Sequence, residues 1–149
     1  AGLHCRSFPL SHPNRGYGFQ IEEGAASVAF FPDNEPLGNH PGGHGLNEYV
    51  DFVRGVDVLI HDAEYLPEEY AESRTGWGHT AYPDTVRLAV DADVGRLVLW
   101  HLNQDRTDDE ADDILAAARR LARKLGSGLR CDMGGTGLVL TVGNGERSE

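Results

Sequence analysis

Three apolar runs in this chain end on residues able to hold a proton or a cation. Residues 27–31, SVAFF, run into Pro32 and Asp33; residues 56–65, VDVLIHDAEY, set Val56, Val58, Leu59 and Ile60 before His61 and Asp62; residues 96–100, RLVLW, run into His101. Short apolar, β-branched runs of this kind read as strands buried on both faces of a parallel sheet. In open α/β sheets ligands bind in the crevice outside the carboxyl ends of the strands, so the three endings mark one candidate site.

The remaining pattern supplies the other elements. Residues 3–10 form a strand that closes at Ser11, His12 and Pro13, because proline lacks a donor and biases its predecessor away from the helical region, which leaves His12 in a turn. Residues 16–21 alternate as a second strand and Glu23-Gly24 turns the chain into the strand at 27–31, so the first third is a meander. Residues 39–45, NHPGGHG, are a loop by composition, and residues 46–54 have helical spacing before Gly55. Residues 66–75 predict a short charged surface helix, and the loop Gly76-Trp77-Gly78 then delivers His79. Pro83 suits the first turn of a helix running to Asp91. Thr107 and Glu110 make a capping box ahead of a stripe formed by Ile114, Leu115, Ala118, Leu121, Ala122 and Leu125. Residues 129–131 and 137–142 read as closing strands, and residues 143–149 as a polar tail. The fold class is α/β, a mixed sheet with flanking helices.

Composition narrows the function. The 149 residues suit one domain or a piece of one, with enough apolar content to bury a core. A formal charge of −11 disfavours an extended nucleic-acid track held by lysine and arginine, although it leaves room for a local patch. No stretch approaches the roughly 20 apolar residues a spanning helix needs, and the opening AGLHCRSF lacks a signal-peptide pattern. With only Cys5 and Cys131 present, a reducing, cytoplasmic location and two buried thiols are expected.

Each candidate residue has a plain structural reading beside the chemical one. His101 ends a buried strand and is a metal ligand, a catalytic group or a satisfied core histidine. Asp33 is a ligand or the anchor of an Asx turn, and Asp62 a functional acid or a turn maker. His79 is a site residue or part of a helix-entry loop. His40 and His44 are spaced like a ligand pair, but Pro41, Gly42 and Gly43 between them argue for a solvated loop. The chain lacks a phosphate loop ending in Gly-Lys-Ser/Thr, a Gly-x-Ser-x-Gly elbow, a CxxC pair and an HExxH helix. A mixed His/Asp set remains, the ligand chemistry of zinc or manganese hydrolases.

The order LSHPNRGYGFQIE, VAFFPDNEP, DVLIHDAEY, GWGHTAYPDTVRLA, RLVLWHLNQDRTDDE resembles the carboxyl-terminal half of metallo-β-lactamase-fold hydrolases of the tRNase Z and phosphodiesterase branch. The resemblance implies half of a four-layer αββα sandwich over residues 1–149, the amino-terminal half and its His-x-His-x-Asp-His motif being absent from this sequence. It implies that His12 and His101 each ligate one of two divalent metal ions, zinc or else manganese, and that Asp33 bridges them. His79 would be the catalytic histidine that protonates the leaving oxygen, oriented by Asp62, with His61 structural. The implied function is a phosphodiesterase working through a dinuclear metal-activated water; the alternatives are an ester or lactone hydrolase on the same fold, or a truncated scaffold without catalysis.

Two departures shape the expected partners. About twenty residues separate His12 from Asp33, no room for the arm with which tRNase Z proteins grip RNA, so a small phosphodiester or ester is expected and nucleic acid is disfavoured. Half a sandwich leaves one sheet face uncovered, so self-association or a completing chain or segment is expected, and no membrane.

Overall fold

A computed structural model describes residues 2–143; the tail expected over 143–149 lies, from residue 144 on, outside them. Among the described residues the sheet has six strands: β1 (Leu3–Pro9), β2 (Tyr17–Glu23), β3 (Ala26–Phe31), β4 (Val58–Asp62), β5 (Arg96–Trp100) and β6 (Arg130–Met133). They are ordered β1-β2-β3-β4-β5-β6. β1, β2 and β3 pair antiparallel, as the meander requires, and β3 to β6 pair parallel. Two antiparallel steps bring β1 back to the direction of β3. The carboxyl ends of β1, β3, β4, β5 and β6 therefore share one edge of the sheet, and the predicted site residues follow those ends.

Parallel neighbours need crossovers, and helices supply them. α1 (Leu46–Phe52) joins β3 to β4; α2 (Pro67–Glu69) continues through a π turn, Tyr70–Arg74, on the way to α3 (Tyr82–Asp91), which returns the chain to β5. α4 (Asp108–Lys124) joins β5 to β6. Alternation along the strands sends Ala29, Phe31, Leu59, Leu97 and Leu99 to the helical side, where they are buried with Tyr49, Val53, Val86, Ala89, Ile114 and Ala118. α4 starts as its sequence dictates: the Thr107 hydroxyl accepts from the Glu110 backbone N–H, while the Glu110 carboxylate accepts from that of Thr107 at 2.8 Å.

The opposite face carries Phe19, Ile21, Val28, Phe30, Ile60 and Trp100, the other parity of the same strands. Phe19, Ile21 and Trp100 are exposed, and Phe30 and Ile60 only half-buried. The expectation of strands buried on both faces is met at the centre of the sheet, where Val58 and Val98 of this face are buried too, and fails toward β2 and at Ile60 and Trp100.

Three further expectations are corrected. Residues 137–142 do not form a strand; Leu138, Leu140 and Val142 instead border an apolar groove with Val28, Phe30, Val58 and Ile60. Their alternation records side chains resting on the sheet, without ladder pairing. His40 is not solvated: its side chain is nearly buried and its Nε2 donates to Glu35 at 2.7 Å. Of the two thiols Cys131 is buried and Cys5 exposed, because β1 lies at the sheet margin. No helix among the described residues is long and apolar enough to cross a membrane.

Candidate metal centre

Asp33, His79 and His101 converge beyond the ends of β3, β4 and β5, each offering a ligand atom within 4.8 Å of the others. Asp33 follows β3 by two residues, its Oδ1 3.6 Å from His101 Nε2. His101 leaves β5 in the left-handed region, φ 56°, a conformation that costs a side chain about 1–2 kcal/mol.

His79 arrives on the loop after the π turn. Its Nδ1 donates to Asp62 Oδ2 at 2.6 Å, and its ring stacks on His101 with centroids 4.6 Å apart. Asp62 is fully buried at the end of β4, where its carboxylate also accepts from the backbone N–H groups of Glu64 and Thr80. Burial raises the Asp62 pKa. Burial alone would lower that of His79, but the Asp62 hydrogen bond and charge overcome it and raise it, so the pair retains a proton between its members.

His12 sits in the turn after β1, its ring edge-on to His79 with centroids 5.3 Å apart. Burial, then the neighbouring His79, lowers its pKa, favouring the neutral ring that a metal requires. The turn is fastened to the β3 loop: Ser11 N–H donates to Asn34 Oδ1 and Glu35 N–H to the Ser11 carbonyl, both at 2.9 Å. Asn34, rather than Asp33, supplies this anchor, and Asp33 remains directed at His101. His61 is fully buried on the helical side of β4, with Nδ1 donating to the Asp62 carbonyl at 2.8 Å and Nε2 meeting the Asn34 amide at 3.2 Å. His44 pairs with Glu48 on α1, away from the cluster.

Two carboxylates complete the site. Glu64 lies two residues beyond Asp62, 3.3 Å from His101 Nδ1 and 3.4 Å from His79 Nδ1. Its hydrogen bond, assisted by the nearby acids and opposed by burial, pushes the His101 pKa up to about 9. Glu35 is buried beneath the loops and accepts from His40 Nε2, the Tyr70 hydroxyl and the backbone N–H groups of Gly76 and Gly78, at 2.6–2.8 Å. Burial would raise its pKa, but these donors hold it below the ordinary carboxylate range. Glu35 thereby ties the loop bearing His79 to the loop bearing Asp33. A Cβ on Gly78, at φ +95°, would stand 2.2 Å from the His12 ring; glycine lets the two histidine-bearing loops approach. An imidazole–carboxylate donor set of this kind fits zinc or manganese.

Solved structures share the architecture that carries these residues. YhfI from Bacillus subtilis, a metallo-β-lactamase fold protein, superposes with a TM-score of 0.69 at 19% identity, covering 93% of this chain and 50% of that one. The chain carries part of a metallo-β-lactamase fold. The short form of human tRNase Z shares this metallo-β-lactamase-type half at a TM-score of 0.66 and 18% identity, over 95% of this chain and 44% of that one. In sequence, the ribonuclease Z of Saccharolobus solfataricus is 37% identical over 70 residues, 47% of this chain and 23% of that protein. No family model matches. The chain thus spans about half the length of the solved metallo-β-lactamase-fold proteins and its match about a quarter of the curated relative. The resemblance drawn from the motifs is borne out in both fold and branch. The expectation against nucleic acid is in partial conflict with the relatives, since this one is named a ribonuclease.

Proposed function

We propose that the chain is the carboxyl-terminal part of a metal-dependent hydrolase that cleaves phosphodiesters. The observation that carries this reading is the Asp62–His79 hydrogen bond of 2.6 Å, which holds His79 in the cluster it forms with Asp33 and His101. With Nδ1 engaged by Asp62, Nε2 is the nitrogen left to meet a substrate oxygen. A scaffold has no use for a histidine so held, whereas a departing alkoxide needs such a proton donor, and general acid help is typically worth about 10²–10⁴-fold.

His12, Asp33 and His101 would hold two divalent cations, zinc or manganese, with further ligands from outside this chain. Such ions supply Lewis-acid polarisation of phosphoryl oxygen and a nucleophile at neutral pH. Glu64 fixes the His101 ring through Nδ1, leaving Nε2 as the ligand atom, in the manner of outer-shell carboxylates. Asp62 keeps the His79 proton on the correct nitrogen and stabilises the cationic ring. The relatives named as ribonucleases support a nucleic-acid phosphodiester as substrate; a free phosphodiester remains compatible with the short connection between His12 and Asp33.

The test is a pair of variants in the protein completed with its remaining metal-binding part. His79→Ala should slow hydrolysis of a bis-aryl phosphodiester about 10²–10⁴-fold and keep the metal, whereas Asp33→Ala should lose metal by elemental mass spectrometry. Variants indistinguishable from the parent in both readouts would remove the proposal.

A further inference from the structure

β4 and β5 run side by side to their last register pair, Asp62 beside Trp100, and the backbone N–H of Ala63 still donates to the Trp100 carbonyl at 2.9 Å. Beyond that point the two segments leave the ladder, and side chains set their spacing. They meet at the site, where Glu64 stands 3.3 Å from His101 Nδ1. Five residues further along each segment they meet again, Arg106 holding Glu69. In both meetings the acid comes from the segment after β4 and the base from the segment after β5.

The second meeting is a fork. Arg106 Nη1 donates to Glu69 Oε1 at 3.1 Å and Nη2 to Oε2 at 2.7 Å, the two parallel bonds that a planar guanidinium makes to a carboxylate and a lysine ammonium does not. Both partners are also fastened to main chain. Glu69 Oε2 accepts from the Leu66 N–H at 2.8 Å, Arg106 Nη2 donates to the Glu64 carbonyl at 3.5 Å, and the Arg106 N–H closes a turn on the Asn103 carbonyl at 3.0 Å. The guanidinium therefore touches the backbone of the residue whose carboxylate meets His101.

Stability does not account for this pair. The Arg106 side chain is 8% exposed, and among the described residues its Nε is a buried donor without a hydrogen-bond partner. A buried donor left unpaired is a cost, and burying a charge adds to it, so an apolar pair of similar volume is often as stable or more so. What an apolar pair lacks is a fixed distance between the two segments.

We propose that Arg106 is a positioning residue for the metal centre: its fork on Glu69 sets the spacing of the segments after β4 and β5, and so holds the Glu64 carboxylate on His101 Nδ1 with Nε2 left for a cation. The consequence for metal rests on the metal-dependent reading, whereas the strut itself rests on the Arg106–Glu69 geometry. Arg106 acts through Glu64 and His101 rather than at the reacting atoms.

Three variants test this, made in the protein completed with its remaining metal-binding part. Arg106→Met with Glu69→Met replaces the pair by apolar side chains of similar length, Arg106→Lys keeps the charge without the fork, and Glu64→Gln cuts the contact at the site. Zinc affinity by calorimetry should fall about tenfold or more in all three, as when an outer carboxylate is lost, while urea unfolding of the double variant keeps at least the parental midpoint. Adding Glu64→Gln to the double variant should cost nothing further, because both changes act on one contact. Parental zinc affinity in the double variant, or a loss there matched by lost stability and absent from Arg106→Lys, would overturn the proposal. A metal-free crystal structure of the double variant should show Glu64 parted from His101; a contact kept at 3.3 Å would overturn the positioning role whether or not zinc binds. A parted contact in the variant with no zinc uptake by the parent would support the strut and remove the metal-dependent reading.

Discussion

His61 illustrates how a single buried group writes itself into the stability of the molecule. Burial pushes its pKa down from an ordinary 6.5 to about 4, partly offset by its hydrogen bond to the Asp62 carbonyl. The unfolded chain therefore takes up a proton near pH 6.5 that the folded chain refuses until about pH 4, so stability is present in full above the first value and falls as pH drops toward the second. At about 1.4 kcal/mol per unit the loss over that window is about 3 kcal/mol. Urea unfolding at a series of pH values should show a steeper acid loss in the parent than in His61→Asn; parallel slopes would contradict this account. The structural part of His61 came from the family resemblance; by its place after the apolar run it read with Asp62 as a site candidate. Glu64 was legible in principle, since it shares parity with Asp62 in an extended segment and so faces the same side. Glu35 was not. In PDNEPLG it reads as an ordinary turn acid, and its donors, Tyr70, Gly76 and Gly78, lie about forty residues away in the chain.

Among the elements, α4 was the most legible, because a capping box and an apolar stripe carry their information locally. Thr107→Ala should lower the unfolding free energy by about 1 kcal/mol, the usual worth of an N-cap, as measured by denaturant titration; no change would mean that Glu110 alone sustains the first turn. Residues 137–142 were misread because alternation is produced equally by a paired strand and by an extended segment lying on an apolar surface. The loop 75–79 was legible only as a carrier of His79, and its closeness to His12 follows from tertiary contact. Gly78→Ala adds a methyl where the His12 ring already stands, at a backbone angle of +95°. The expected result is a loss of metal affinity of at least tenfold with far-ultraviolet circular dichroism retained. Unchanged metal binding would show that His12 can move without consequence.

At the scale of the whole molecule, the two faces of the sheet are unequal. One is sealed by α1, α3 and α4, and the other presents Phe19, Ile21, Phe30, Ile60 and Trp100 with residues 138–142 across part of it. Contiguous apolar surface of this extent normally marks an interface. Light-scattering chromatography of the isolated chain should find it self-associated, and Phe30→Lys with Ile60→Lys should shift it toward monomer; a monomeric parent would mean that the face tolerates water. The parallel order was legible from three apolar runs with ligand-type endings, because strands that share a direction must deliver their ends to one edge. The strand sequence in space has another consequence. From β1 to β6, position in the sheet repeats position in the chain, so each strand pairs with one already laid down and no gap is held open for a later arrival. A layer built this way can be laid down in the order of its synthesis, and one uninterrupted stretch of chain carries all six described strands.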